Sequence, residues 1–232
     1  LVGSGQRARE AYAPAVLQSP SFHLRALWSR TQGAAERFNL EVAGCSLEVF
    51  FGEEGLERLL ARPDLECYVV VLPPSVQPGF VRRILARGQH VLSEKPVAPN
   101  KEAAEETLRR LEESGHESAV WFVADPLRYE PVFHPSHLRL HELGAILAAE
   151  AYAVLAPDGR QRPGEPPRSD EELFIEGGAP HVAVLRHVLG QILEVNCVRA
   201  SAHAGAEPPA QSGSGTAVTG AFWGDVLSGT IR

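Results

Sequence analysis

The sequence predicts an α/β protein with a doubly wound parallel sheet, followed by an α+β domain whose open sheet is mostly antiparallel. Up to residue 125, short apolar runs alternate with longer segments of helical periodicity, as expected for parallel strands joined by right-handed crossover helices. The run at 67–74 (CYVVVLPP) is apolar without alternation, which indicates a strand covered on both faces. Beyond residue 125, helices are followed by consecutive strands. We therefore predict one domain over residues 1–125 and a second over residues 126–232.

The elements of the first domain alternate along the chain. Strands are predicted at 22–29, 67–74, 89–94 and 118–125, and helices at 31–39, 53–64, 76–88 and 100–115. Thr31 is the expected N-cap of the first of these helices, because a hydroxyl side chain can accept from the first free backbone N–H groups. Residues 1–8 (LVGSGQRA) are typical of the end of a strand that turns into a helix.

The second domain has less regular elements. The predicted order is a helix at 132–144, a strand at 145–155, a loop rich in Pro, Gly and charge at 156–172, a helix at 177–190, and strands at 192–204, 215–223 and 226–232. The helix at 177–190 is expected to start at Pro180, because proline suits the first turn of a helix and disrupts its interior.

Composition and charge exclude several classes of function. A net charge of −7 without a basic cluster disfavours a nucleic-acid partner. No segment approaches the roughly 18 uninterrupted apolar residues of a membrane-spanning helix, so a soluble, cytoplasmic protein is expected. Cys45, Cys67 and Cys197 have neither metal nor disulfide spacing and are expected to be reduced thiols. The absence of Met and a beginning that resembles the middle of a strand predict an incomplete chain.

Three histidines at helical spacing, His134, His137 and His141, raise the question of a metal site. No carboxylate or cysteine completes a ligand set at an obvious spacing, and surface histidines on an amphipathic helix explain the pattern better. The sequence therefore predicts no metal.

The first candidate site is the G-x-G-x-x-A turn formed by Gly3, Gly5 and Ala8. In such a turn the first glycine permits the tight bend, the second lets the backbone approach a pyrophosphate, and the small third residue lets the helix pack on the sheet. The phosphates are expected at the N-terminus of the helix that follows. Together with the doubly wound pattern, this turn predicts an NAD(P)-binding Rossmann domain over residues 1–125.

The next strand ends in Ser29 and Arg30 rather than in the acid that an NAD-specific site places on the ribose hydroxyl. A hydroxyl and a guanidinium fork suit a 2′-phosphate, so NADP is the preferred cofactor and NAD remains possible. The alternative is that Arg30 is only a solvated neighbour of the following helix cap.

Two further strands should end at the same edge of the sheet. Leu72 and Pro73 at the end of the run at 67–74, and Gln77 just beyond it, are candidate cofactor contacts, although Ser75 could instead cap the next helix. After the strand at 89–94, Glu94 and Lys95 emerge together. An ammonium there could donate a hydrogen bond to a substrate hydroxyl or carbonyl, and a structural salt bridge is the alternative.

The stretch VVVLPPSVQPGFVRRILARGQHVLSEKPVA, residues 69–98, strongly resembles the Gfo/Idh/MocA oxidoreductases, in which an E-K-P motif follows the fifth strand. The resemblance extends from GSGQRA through LRYEP to GGAPHVAVLRHVLG and is greatest to a eukaryotic, plant or fungal, branch. It implies a Rossmann domain followed by an α/β domain whose open sheet commonly forms a homo-oligomer interface.

The resemblance implies roles for particular residues. Lys95 is the expected catalytic lysine, Glu94 its neighbour at the cofactor, and His181 the proton donor or acceptor for the substrate hydroxyl. The family's acids near that histidine are replaced by Gly177 and Val184, so the group that usually orients its ring is missing.

Another departure from the family pattern lies just after residue 124. Asp125 and Pro126 stand where members of the family often have Glu and Asn. Arg128 is therefore the best remaining polar contact to substrate in this segment.

Three functional hypotheses follow. The first is an NADP-dependent oxidoreductase that transfers a hydride between nicotinamide and a hydroxyl or carbonyl carbon of a small, sugar-like or polyol-like substrate. The second is a dinucleotide-binding regulatory or interaction protein with little or no turnover. The third is that a shortened chain exposes unpaired strand edges and is unstable.

Overall fold

The computed structural model describes residues 1–44, 46–113, 118–133, 139–144 and 170–192. The chain divides into two compact units, Leu1–Ala124 and Asp125–Arg232.

The first unit contains a parallel sheet. Its strands are β1 (Ala26–Ser29), β2 (Glu48–Phe51), β3 (Cys67–Val70), β4 (His90–Glu94) and β5 (Trp121–Ala124). β1 pairs with β2, and β4 pairs with both β3 and β5, always in parallel. This confirms the predicted doubly wound, Rossmann-type part of the fold.

Residues 1–3 lie between β1 and β3 and join the two halves of the sheet. The Trp28 backbone N–H donates to the Leu1 carbonyl at 2.9 Å, and the Val2 N–H donates to the Val69 carbonyl at 2.8 Å. The order across the sheet is therefore β2, β1, residues 1–3, β3, β4 and β5. The direction of winding reverses between residues 1–3 and β3, and open α/β sheets bind their ligands at the carboxyl ends of the strands beside this reversal.

Helices cover both faces of the sheet. The first helix starts at residue 6, contains a wide turn at Ala8–Tyr12 and ends as α1 (Ala13–Gln18). The others are α2 (Gln32–Ala43), α3 (Gly52–Leu60), α4 (Gln77–Leu85) and α5 (Lys101–Glu113).

The period of two residues along β1 separates the buried side chains into two clusters. Leu27 packs with Phe38 of α2 and with the small residues of the first helix, whereas Trp28 packs with Leu56 of α3 and Ile84 of α4. Both faces of the strand are thus buried, which is why its sequence (ALWS) shows no polar alternation.

Several predicted boundaries in the first unit are wrong. β2 was not predicted, because it is a four-residue edge strand in which Phe50 is buried and both ends are exposed, too short for a recognisable alternation. Thr31 occupies the N-cap of α2 but makes no side-chain capping bond, and the helix continues to Ala43, after which Gly44 adopts the left-handed conformation with φ 59°.

The described part of the second unit contains two 3₁₀ turns, Pro126–Tyr129 and Leu140–Leu143, and the helix α6 (Asp170–Leu189). The prediction that a helix begins at Pro180 is wrong, because α6 begins at Asp170 and contains the proline. Gly178 and Pro180 are buried, and α6 contacts the Pro126–Tyr129 turn, so packing compensates for the missing backbone hydrogen bond.

Most of the other elements predicted beyond residue 132 lie outside the described residues. These are the strands at 145–155, 192–204, 215–223 and 226–232, most of the loop at 156–172, and the middle of the helix at 132–144. The antiparallel sheet of the second domain therefore stays a prediction. Among the described helices, none has the length and apolarity needed to cross a membrane.

Candidate functional site

The first glycine of the turn is required by the fold. Gly3 has φ 114°, and a Cβ built on it would lie 2.2 Å from the backbone oxygen of Val71 on the adjacent segment. Its N–H donates to the Trp28 carbonyl at 2.9 Å, so the residue is part of the sheet at the point where the chain turns. Any side chain here would force residues 1–3 away from their neighbour.

The second glycine of the turn, Gly5, is not required by packing within the protein. Gly5 is exposed at the start of the first helix, and a Cβ on it would meet no protein atom within 4 Å. Its carbonyl accepts the helical hydrogen bond from the Arg9 N–H at 3.1 Å. Ala8, one turn further, is completely buried against the sheet in the cluster of Leu27. The turn therefore has the close-approach glycine, the helix N-terminus and the small packing residue that a dinucleotide pyrophosphate needs.

The end of β1 lies beside this turn. The Ser29 hydroxyl is buried and lies 2.7 Å from the hydroxyl of Ser4, within the glycine turn. Arg30, the next residue, is exposed, and no group in the described residues is hydrogen-bonded to its guanidinium. Ser29 therefore braces the turn, whereas Arg30 has donors available for an anion.

The end of β3 continues through Leu72 and Pro73 into α4. The Pro73 carbonyl accepts hydrogen bonds from the backbone N–H groups of Val76 and Gln77, both at 3.0 Å. The N-cap of α4 is Val76, without a side-chain capping bond, so Ser75 does not cap this helix.

Gln77 lies beneath the site rather than on its surface. It is fully buried at the first position of α4, and its amide nitrogen donates to the carbonyls of Glu94, at 2.6 Å, and Pro96, at 3.1 Å. These two residues flank Lys95. The Gln77 Oε1 has no partner among the described residues.

The Glu94 carboxylate is held by three donors. Its Oε1 lies 2.5 Å from Nε of Arg7, its Oε2 accepts from the Lys95 backbone N–H at 2.9 Å, and the Tyr12 hydroxyl also hydrogen-bonds it. Its side chain is only 8% exposed, whereas that of Arg7 is 61% exposed. Burial, together with the charge and hydrogen bond of Glu94, raises the pKa of Tyr12 above its usual range.

Lys95 follows β4 directly and is partly buried. It is one of only two lysines in the chain, the other being Lys101. Residues 1–3 and β4 are separated in the sheet by β3 alone, which corresponds to about 10 Å between their backbones. The Arg7–Glu94 contact spans this distance, so the structure brings the glycine turn and the segment of Lys95 to one edge of the sheet.

The two candidate substrate residues belong to the second unit. Arg128 is exposed in the Pro126–Tyr129 turn, and His181 is exposed on α6. The His181 Nδ1 lies 2.9 Å from the Gly177 carbonyl, and because a carbonyl only accepts, the neutral ring carries its proton on Nδ1 and its lone pair on Nε2. A backbone carbonyl thus orients the ring in place of the carboxylate, and the roles of both residues stay predictions.

No three His, Cys, Asp or Glu side chains cluster as metal ligands within the described ranges. His134 and His137 and the side chain of His141 lie outside them. Sequence reasoning missed Arg7 and Tyr12, whose partner is more than 80 positions away, a separation at which no local pattern signals a contact.

The geometry defines the first unit as a dinucleotide-binding Rossmann domain of the kind found in oxidoreductases. The model of the oxidoreductase family with an NAD-binding Rossmann fold, GFO_IDH_MocA, matches residues 1–122. The chain therefore belongs to the Gfo/Idh/MocA family of oxidoreductases, as the E-K-P motif predicted.

Individual relatives agree with this assignment. The dehydrogenase FPY6 of Fusarium mangiferae is 31% identical over 154 residues, which cover 64% of this chain and 44% of that protein. The crystal structure of KijD10, a 3-ketoreductase from Actinomadura kijaniata in complex with TDP-benzene and NADP, is 26% identical with a TM-score of 0.51, covering 61% of this chain and 42% of that one. An oxidoreductase from Thermotoga maritima is 26% identical with a TM-score of 0.66, covering 88% and 63%. The chain matches less than half the length of the Fusarium relative.

Proposed function

We propose that the protein is an NADP-dependent oxidoreductase that interconverts a hydroxyl and a carbonyl group on a small, sugar-like or polyol-like substrate. The observation that carries the proposal is the Arg7–Glu94 contact, at 2.5 Å, which ties the phosphate-binding helix to the segment of Lys95. This contact between segments that are far apart in sequence supports a common ligand crevice for both.

The cofactor would be held where residues 1–3 and β1 end at the carboxyl edge of the sheet. Backbone N–H groups at the N-terminus of the first helix would donate to the pyrophosphate, which Gly5 allows to approach closely. Arg30 would bind the 2′-phosphate through its guanidinium fork. When bound, the dinucleotide supplies or accepts a hydride at its nicotinamide ring. The preference for NADP is supported by the available donors of Arg30 and by the relative KijD10, whose crystal structure contains NADP.

The chain's own contribution to the chemistry is acid–base catalysis and orientation. The Lys95 ammonium would donate a hydrogen bond to the substrate oxygen, which polarises a carbonyl and stabilises the negative charge that develops on it. His181 would offer Nε2, whose lone pair can accept the proton of a substrate hydroxyl. The relative KijD10 is a ketoreductase, which supports a ketone as the oxidised substrate.

The experiment compares the two lysines. NADPH oxidation is followed across a panel of keto-sugars, aldoses and small ketones for the wild type, Lys95→Ala and Lys101→Ala. Lys101 is the matched control, because it is the other lysine of the chain and its side chain is 78% exposed in a surface pair with Glu105. We expect Lys95→Ala to lose on the order of 10²-fold or more in kcat, the scale of one general acid, and Lys101→Ala to match the wild type.

Two results would contradict the proposal. Equal rates in both variants would remove Lys95 from the mechanism. Dinucleotide binding by calorimetry with no turnover of any carbonyl would favour a binding protein over an enzyme.

A further inference from the structure

The backbone of Lys95 is held from two sides by side chains of two different elements, the helix α4 and the strand β4. On one side, the Glu94 carboxylate accepts the Lys95 N–H at 2.9 Å and is itself anchored by Arg7 of the first helix. On the other side, the Gln77 amide binds the carbonyls of Glu94 and Pro96, which precede and follow the lysine. We call Gln77 and Glu94 the clamp.

The hydrogen bonds and burial of the clamp suit it to hold the backbone around Lys95 in one orientation. Both partners of the Gln77 nitrogen are carbonyl acceptors, so its N–H groups must face them. The amide is completely buried and its Oε1 has no partner among the described residues, which costs free energy that an apolar side chain would avoid. Both Glu94 oxygens are engaged by protein donors in a side chain that is 8% exposed.

We propose that Gln77 and Glu94 are positioning residues that fix the direction of the Lys95 ammonium, and that neither contacts the cofactor or the substrate. This replaces the direct cofactor contacts that the sequence predicted for the two residues, and it rests on the proposed role of Lys95. Through Arg7, the same clamp is joined to the helix that would bind the pyrophosphate. Binding of a ligand at that helix should therefore change the surroundings of Lys95.

The presence of only two lysines provides a measurement that needs no substrate. Reductive methylation with ¹³C-formaldehyde gives each lysine a dimethyl signal whose chemical shift and titration report its surroundings, and Lys95→Arg and Lys101→Arg assign the two signals. In the wild type we expect the Lys95 signal to differ from that of exposed Lys101 and to move when NADP⁺ is added.

The test variant is Gln77→Met, which keeps the length of the side chain and removes both donors. Its matched control is Gln89→Met, because Gln89 also donates to backbone carbonyls, those of Leu65 at 3.1 Å and Arg62 at 3.4 Å, but lies just before the opposite end of β4. We expect Gln77→Met to shift the Lys95 signal towards that of Lys101, and Gln89→Met to leave the Lys95 signal where it is.

Activity adds a second readout. With a substrate from the carbonyl panel, Gln77→Met should lower kcat by on the order of 10²-fold, the effect of about 1 Å of misplacement, without changing the KM for NADPH. If Gln77→Met does not fold, Glu94→Gln is measured instead, since it keeps the shape of the side chain and weakens its bond to Arg7.

The outcomes separate the two proposals. A Lys95 signal that is unchanged in Gln77→Met, or in Glu94→Gln where that variant is used, overturns the clamp. A wild-type Lys95 signal that does not respond to NADP⁺ overturns the proposed site, whatever the variants do.

Discussion

Replacement of the two glycines of the turn should separate the requirement of the fold from that of the cofactor. In Gly3→Ala, the new Cβ would lie 2.2 Å from the Val71 oxygen on a backbone with φ 114°. A non-glycine residue in such a conformation costs about 1–3 kcal/mol. The overlap also strains the two hydrogen bonds that Val2 makes to its neighbouring strand, at 2.8 and 2.9 Å, each contributing about 0.5–1.5 kcal/mol.

Together these effects predict that Gly3→Ala lowers the free energy of unfolding by roughly 2–6 kcal/mol, a large part of the roughly 5–15 kcal/mol typical of a domain. Gly5→Ala should behave differently, because a Cβ there meets no protein atom within 4 Å. Its stability should stay within about 1 kcal/mol of the wild type. The added methyl group would occupy the approach to the pyrophosphate, so the affinity for NADPH should fall by on the order of tenfold or more.

Urea unfolding measured by circular dichroism gives the stabilities, and quenching or enhancement of NADPH fluorescence gives the affinities. Equal stability of Gly3→Ala and Gly5→Ala would contradict the requirement for glycine at position 3. NADPH binding by Gly5→Ala as tight as that of the wild type would show that the turn does not hold the cofactor.

Three further predictions concern single side chains. Arg30→Ala should weaken NADPH binding on the order of tenfold or more while leaving NADH binding nearly unchanged, measured by fluorescence titration, and an equal loss for both would contradict the 2′-phosphate contact. The folded-state pKa of Tyr12 is raised, so the unfolded chain loses this proton first and stability falls as pH rises above about 10. The stability advantage of the wild type over Tyr12→Phe, followed by thermal melts, should shrink there, and a constant difference would refute the linkage. Asn39→Ala should lower the free energy of unfolding, measured by urea titration, by at least about 2 kcal/mol. The reason is that the buried Asn39 side chain binds both the N–H and the carbonyl of Leu47, each at 3.0 Å. An unchanged unfolding midpoint would contradict this.

The doubly wound sheet was predictable because it depends on local signals. Apolar runs at β1, β3, β4 and β5 alternate with helical periods, and the carboxyl ends of parallel strands must meet at one edge. The same rule correctly placed Gly5 and Lys95 on that edge. β2 was not predicted, because a four-residue edge strand has too few positions to show a recognisable period.

The side-chain contacts that hold the site together were less predictable, because they join residues that are distant in sequence. Arg7 and Glu94 are 87 positions apart, and nothing around either residue indicates the other. Gln77 was expected at the cofactor because it follows two prolines at the right edge, but burial turns its amide towards the backbone of the next loop. The role of Pro180 was predicted wrongly because local propensity disfavours a proline inside a helix, whereas packing around the buried Gly178 and Pro180 tolerates one here.

The most direct test of the account is a crystal structure of the protein with NADP⁺. We expect the pyrophosphate on the backbone N–H groups after Gly5, the 2′-phosphate on Arg30, and the nicotinamide ring within about 4–5 Å of Lys95 Nζ, the range of side-chain contact. A dinucleotide bound elsewhere on the protein, or a Lys95 amine directed away from the ring into a separate ion pair, would contradict the central claim that one edge of the sheet holds both the cofactor and the catalytic lysine.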